Sequence, residues 1–144
     1  MDLNITPPLD SDITRLAQHR MFVETLAAEH LKLGLPGDDG DLAVLQRLID
    51  RNILAADDTY ELQSLGVVFG MRLVDAIEGL DWAIVEDEYG RDPALRYLDT
   101  SLVLFPLTMI SKRVEDGAQV DVRELFEGVR SQVASLKEQI TRPN

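Results

Sequence analysis

GVVFGMRLVDAIEGLDWAIVEDEYGRDPALRYLDTSLVLFPLTMISKRVEDG, residues 66–117, decides how this chain folds. It opens in an apolar helical pattern spaced by Gly66 and Gly70. It passes into the strand-like run Trp82-Ala83-Ile84-Val85 and then into the acidic corner Glu86-Asp87-Glu88-Tyr89-Gly90. A second apolar run, Leu102 to Pro106, leads on to the cationic pair Lys112-Arg113. Helix, strands and helix in that order predict an α+β core with charged corners.

The helix begins upstream of the quoted stretch. Asp58-Thr59-Tyr60-Glu61 has the form of a capping box, with Asp58 as the cap and Glu61 three residues on. Leu62, Leu65, Phe69, Leu73 and Ile77 share one face. Val67, Val68, Met71 and Val74 make the back apolar as well. A helix apolar nearly all round belongs at the buried centre of a fold. A glycine inside a helix costs up to about 1 kcal/mol relative to alanine. Two of them at i, i+4 make sense where another element must approach the backbone. Arg72, Asp75 and Glu78 follow closely, so the spacing reads as close packing and not as a membrane dimer motif.

After Gly79, residues 81–89 read as a strand by alternation. Gly90-Arg91-Asp92-Pro93 has turn chemistry. Residues 94–98 and 102–105 read as second and third strands joined by Asp99-Thr100-Ser101. The connections are too short for parallel crossovers, so the three form an antiparallel meander. Pro106 suits the first turn of a helix that Gly117 ends. Asp121-Val122-Arg123-Glu124 repeats the capping-box form. The helix after it carries the stripe Val122, Leu125, Phe126, Val129, Val133, Leu136 and Ile140, with Gly128 beside it as a further candidate for close approach.

Upstream, residues 11–33 have helical spacing through Leu16, Phe22, Val23, Leu26 and Leu33, and Gly34 and Pro36-Gly37 stop them. Asp38-Asp39-Gly40-Asp41 opens a second helix with Leu42, Leu45, Ile49 and Ile53 as its stripe. Residues 1–10 contain Pro7-Pro8 and lack periodicity, so they read as an extended or mobile arm. The whole is an arm followed by a single α+β domain over residues 11–144. Three N-terminal helices precede a three-stranded antiparallel meander, and two C-terminal helices pack on the sheet.

Size and charge bound the function. A chain of 144 residues buries enough surface for its own core. It carries 14 basic and 26 acidic residues, a net charge of −12. Such a chain repels polyphosphate, so nucleic acid is not an expected partner; the charge is compatible with a basic protein partner and equally ordinary for an acidic protein with nothing special to bind. With 0 cysteines there is no disulfide, thiolate chemistry or cysteine zinc site. The first residues lack the basic and apolar regions of a secretory signal, and no apolar run approaches the roughly 20 residues of a membrane span. The expected address is the cytoplasm, without membrane association.

Candidate chemistry is confined to the charged corners. Glu86 and Glu88 share one face of a strand and Asp87 takes the other, so the three carboxylates do not converge on a cation unless the strand bends. Arg96, placed across the expected turn, is a cross-strand ion-pair partner for Glu86 and its neighbours. Tyr89 and Tyr97 are expected to flank the hairpin as an aromatic pair. Lys112 and Arg113 complement a helix C-terminus or receive an anionic group. His19 and His30, eleven residues apart on one helix, cannot share a metal. Ser64, Ser101 and Ser111 lack a nucleophile elbow, and no phosphate loop or dinucleotide fingerprint is present. No cofactor and no metal are expected.

The segments LGVVFG, W-x-x-x-x-D-E-Y-G from Trp82 to Gly90, and F-P-x-x-x-I-x-K-R-x-E-D-G from Phe105 to Gly117 together resemble a family of small bacterial domains of unknown function, over about residues 59–130. The resemblance implies a fold and transfers no catalytic residue. With no catalytic constellation, strong net acidity and amphipathic helices, the chain reads as a small acidic binding or interaction module, of which an immunity-like or inhibitory protein that masks a basic partner is one concrete version. It engages a protein partner, or a second copy of itself through the terminal helix or a sheet edge. The candidate ligand or partner surface is Glu86, Asp87, Glu88, Tyr89, Arg96, Lys112 and Arg113. The alternative is a small enzyme in which the Glu86, Asp87 and Glu88 corner works with Arg96, Lys112 or Arg113 on an anionic small molecule. It requires Asp87, Arg96 and Arg113 to converge on one pocket.

Overall fold

The middle helix is the axis of the molecule. In a computed structural model of the protein, which describes residues 4–141, the elements run β1 (Asn4–Thr6), α1 (Asp10–Leu31), α2 (Gly40–Asp50), α3 (Thr59–Ala76), β2 (Leu80–Asp87), β3 (Gly90–Tyr97), β4 (Val103–Leu104), α4 (Pro106–Glu115) and α5 (Val122–Thr141). Residues 64–70 of α3 are buried without interruption, as a helix apolar on every side requires. α1, α2, α4 and α5 all pack on it, and Phe69 meets Phe126 of α5 edge to face with ring centroids 5.8 Å apart.

The two glycines of α3 are where α4 comes closest. A Cβ on Gly66 would lie 2.5 Å from the Pro106 carbonyl oxygen and 2.7 Å from Leu107 Cα. A Cβ on Gly70 would lie 2.8 Å from Trp82 Cη2 and 2.9 Å from Pro106 Cγ. The expectation of close approach is met at both. It fails at Gly128, where nothing lies within 4 Å of the position a Cβ would take.

The sheet is antiparallel and four-stranded, in the order β1-β2-β3-β4. The added strand comes from the supposed arm: Asn4, Ile5 and Thr6 pair with Glu86, Val85 and Ile84. Three residues give no local period to read, and their partner lies some eighty positions away. Of the rest of the expected arm, residues 7–9 lead into α1, which opens at Asp10, and residues 1–3 lie outside the described residues.

The expected turn at 90–93 is strand instead. β2 and β3 are joined by Glu88-Tyr89 alone, with Asp87 opposite Gly90 and Ile84 opposite Pro93. In a two-residue hairpin the closing pair is hydrogen-bonded and pairs alternate thereafter. Pro93 therefore falls at a non-bonded position, and its missing N–H would point away from β2. A proline is tolerated in a strand on those terms.

Leu80, Trp82, Leu95 and Tyr97 turn one face of the sheet to the helical core. α4 touches β3, but α5 packs on α2 and α3. The expectation that both C-terminal helices lie on the sheet is therefore corrected for α5. Its reach to the strands is by Lys137, whose ammonium sits 5.1 Å from the Tyr97 ring centroid.

The caps divide. Asp121 Oδ1 accepts from Glu124 N at 3.0 Å, as its box pattern predicts. Asp58 does not cap α3; its Oδ2 turns back to accept from Ala55 N at 2.8 Å. α1 ends at Leu31, three residues before Gly34, because Lys32 takes the left-handed cap conformation at φ 58.

Candidate functional site

The hairpin separates the residues that would have to meet. Asp87, Glu88 and Tyr89 are at its tip, where Tyr89 is 89% exposed and its N–H donates to Asp87 Oδ1 at 2.8 Å. Arg96 is at the other end, opposite Asp81 on β2 and Val103 on β4. At about 3.3 Å per residue, the six steps from Gly90 to Arg96 place it roughly 20 Å from the tip. The expected ion pair with Glu86 does not form. Arg96 Nε donates to the Thr100 carbonyl at 2.7 Å and its Nη2 to the Asp99 carbonyl at 2.8 Å. These bonds hold together the β3–β4 loop. Tyr97 is buried opposite Leu80, so it forms no pair with Tyr89.

Arg91 takes the role given to Arg96. It faces Glu86 across the non-bonded pair of the hairpin, and one guanidinium bonds both the Glu86 carboxylate and Asp12 Oδ2 of α1, the latter at 2.7 Å. Asn4 Nδ2 donates to the second Glu86 oxygen at 3.1 Å. This network ties the first strand, the hairpin and α1 together. It leaves Glu86 engaged.

Lys112 and Arg113 occupy the last turn of α4, as expected. Both are exposed, and Arg113 Nη1 donates to the Met109 carbonyl one turn back at 2.8 Å. Arg113 lines a groove of about 470 Å³ with Met109, Asp121, Glu124 and Gln132. Neither Arg96 nor any residue of the hairpin tip borders that groove. Among the described residues, no group of three or more His, Asp or Glu is placed to hold a metal ion. No helix among them is long and apolar enough to cross a membrane.

One polar constellation has no counterpart in the sequence reading. His19 of α1 is only 6% exposed, with Nδ1 2.7 Å from Ser64 Oγ of α3 and its ring stacked on Tyr60 at 4.5 Å. Ser64 Oγ also lies 3.0 Å from the Tyr60 carbonyl. A hydroxyl has one proton, so both contacts are satisfied when serine donates to the carbonyl and the imidazole Nδ1–H donates to serine. Ser64 is 0% exposed, beyond the reach of any acyl group. The pair is a polar clamp between α1 and α3. The signal available in sequence was Ser64 at the head of the otherwise apolar stretch 64–70.

The clamp makes stability depend on pH. Burial disfavours the charged ring and the nearby Arg15 guanidinium repels it, so the His19 pKa is lowered. The unfolded chain takes up that proton near the ordinary histidine value of about 6.5, while the folded protein does not. Stability is therefore full above that value and is lost as pH falls toward the folded pKa, with a slope of at most about 1.4 kcal/mol per pH unit. Asp12 adds a second window. The Leu9 N–H, and then Arg91, hold its carboxyl below the ordinary range, so its contribution is present above about pH 4 and lost below. Urea unfolding of the native chain and of His19→Leu between pH 7.5 and pH 3 should show the upper slope in the native chain only. The lower slope should appear in both.

A family model described as a domain of unknown function (DUF3806) matches residues 41–126, well over half of the chain, and the chain belongs to that family. No curated protein matches. A crystal structure from Bacteroides thetaiotaomicron VPI-5482 superposes with a TM-score of 0.83 at 20% sequence identity, over 92% of this chain and 48% of that one. The chain thus spans about half the length of that protein, and the likeness is one of fold.

Proposed function

We propose that this member of the family is a non-catalytic binding module whose acidic surface engages a basic protein partner. The observation that carries the reading is the division of the charged corners. Asp87 and Arg96 stand at opposite ends of one hairpin, and Arg113 borders a groove that contains neither. General acid–base chemistry on an anionic substrate needs a base and a cation within hydrogen-bond reach of one molecule. That division supports the binding reading, and so does the net charge of −12. An acidic surface steers a cationic partner and raises its on-rate. The hairpin tip, with Glu88 and the outstanding ring of Tyr89, is a further contact in this reading, as are Lys112 and Arg113 at its margin.

The sheet edges weigh against pairing of two copies strand to strand. β1 offers three residues and β4 two, and the part of β3 that β4 leaves uncovered contains Pro93. Short edges and edge prolines suppress such pairing. The cytoplasm remains the compartment in which this acidic, cysteine-free chain would act.

Capture of partners by the immobilised protein from a lysate of its source cell, at low and at high salt, tests the reading. A stoichiometric basic protein retained at low salt and released at high salt is expected, since screening shortens the reach of exposed charges to about 3 Å at 1 M. Retention of no such protein at low salt would overturn it.

A further inference from the structure

The C-terminal half of α2 and the segment that enters α5 enclose a groove of about 950 Å³, lined on one side by Ala43, Asp50 and Asn52 and on the other by Ala118 and Glu124. Gln46 crosses its base and fixes the two walls. Its Oε1 accepts from Val122 N at 2.7 Å, and its Nε2 donates to the Val120 carbonyl at 2.9 Å. The walls are therefore preformed, as a binding groove requires.

A smaller cavity of about 210 Å³ opens beside it and shares Ile49, Asn52 and Ala118. Leu48, Leu54, Leu62, Leu65 and Val114 give that cavity an aliphatic wall. Pockets for drug-sized molecules run from about 300 to 1,000 Å³, so this one fits a single aliphatic side chain. Asn52 stands where the two meet, exposed, with its backbone in the left-handed region at φ 52. An amide carries donors and an acceptor in one plane, the complement of a peptide group. Three carboxylates, Asp50, Asp121 and Glu124, line the groove against one cation, Arg123.

We infer that this groove docks an extended basic segment of a partner protein, with one aliphatic side chain seated in the smaller cavity and the backbone met by Asn52. The inference rests on the binding-module reading and gives that module its site. Charge selects the occupant. A second copy brings a net charge of −12, and nucleic acid or an anionic membrane brings phosphates, so each would face the carboxylates with like charge. An aliphatic residue flanked by lysine and arginine satisfies both the cavity and its rim.

The test is fluorescence anisotropy of the full chain with a dye-labelled Lys-Lys-Leu-Arg-Lys peptide and its serine-centred counterpart. Removing the buried aliphatic group should weaken binding about tenfold or more. Ala118→Leu, which fills the cavity, should abolish the preference for the leucine peptide. Asn52→Gly should leave the melting temperature unchanged or raised, because glycine suits a positive φ, while weakening binding about fivefold or more. Equal binding of the two peptides, or no binding of either, overturns the inference. So does a leucine preference that both substitutions leave intact. A lysate partner held equally well by Ala118→Leu and Asn52→Gly would remove the groove assignment and leave the module standing. Leucine-selective peptide binding with no lysate partner at low salt would sink the module reading itself.

Discussion

Gly66→Ala should destabilise the protein by about 1–2 kcal/mol, although the same change in an open helix would stabilise it. The added methyl would lie 2.5 Å from the Pro106 carbonyl oxygen, 2.7 Å from Leu107 Cα and 2.8 Å from the Leu107 carbonyl oxygen. All three are backbone atoms at the start of α4, so no side chain can rotate out of the way. α4 must move as a body, and Pro106 also packs against Gly70 and therefore against the Trp82 end of the sheet. Overpacking of that kind costs typically 1–3 kcal/mol, occasionally more, set against about 1 kcal/mol gained in helix propensity. Two controls give the result its meaning. Gly70→Ala meets the ends of side chains, Trp82 Cη2 and Pro106 Cγ, and should cost less. Gly128→Ala in α5 meets nothing within 4 Å and should stabilise by up to about 1 kcal/mol. Denaturant midpoints of the three variants check the order. A Gly66→Ala protein as stable as the native chain would show that α4 is free to shift.

Why Gly66 was readable in the sequence and Arg91 was not is a matter of distance along the chain. The buried helix announces itself within one window: seven consecutive positions, 64–70, have no polar group except Ser64, and two glycines sit one turn apart. Burial on all sides and close approach of a neighbour follow from those facts alone. The hairpin depends instead on where its turn falls. Gly90-Arg91-Asp92-Pro93 is better turn chemistry than Glu88-Tyr89, yet the chain turns at the latter because that register sets Trp82 opposite Leu95 and Ile84 opposite Pro93 on the core face. Moving the turn by two or three residues changes which arginine opposes Glu86, and with it the whole expectation for Arg96. The groove at α2 and α5 was illegible for a related reason. Its walls come from residues 42–52 and 118–124, and Gln46, which joins them, resembles any other polar residue on a helix surface. β1 lies at the far limit of the same problem.

Arg72→Met should cost about 3–5 kcal/mol, the largest loss expected of any single exposed-looking residue in the chain. In sequence Arg72 marks α3 as soluble. In the fold its side chain is only 12% exposed and that of Asp41 only 2%, with Nε 3.2 Å from Asp41 Oδ2. Nε has no well-directed hydrogen bond, so its attraction to Asp41 is that of charges in contact. Nη1 is better placed: it donates to the Gly37 carbonyl at 2.7 Å and lies 2.8 Å from Asp75 Oδ2. Asp41 Oδ1 in turn accepts from Gly37 N at 3.0 Å. The pair thus clamps the 32–39 loop and the start of α2 onto α3. Methionine keeps the bulk of the arginine stem and removes its charge, which strands the Asp41 carboxylate in a site nearly closed to water. Asp41→Asn should cost less, about 2–3 kcal/mol, because Arg72 keeps Asp75 and the Gly37 carbonyl and the asparagine oxygen can still accept from Gly37 N. The double variant decides the origin of both losses. If they arise from stranded charge, the double variant will be less destabilised than the sum of the single ones by about 1.5 kcal/mol or more, because neither charge is left alone. Strict additivity in denaturant unfolding would mean that the two side chains act through packing, and the clamp would then be no ion pair in energetic terms.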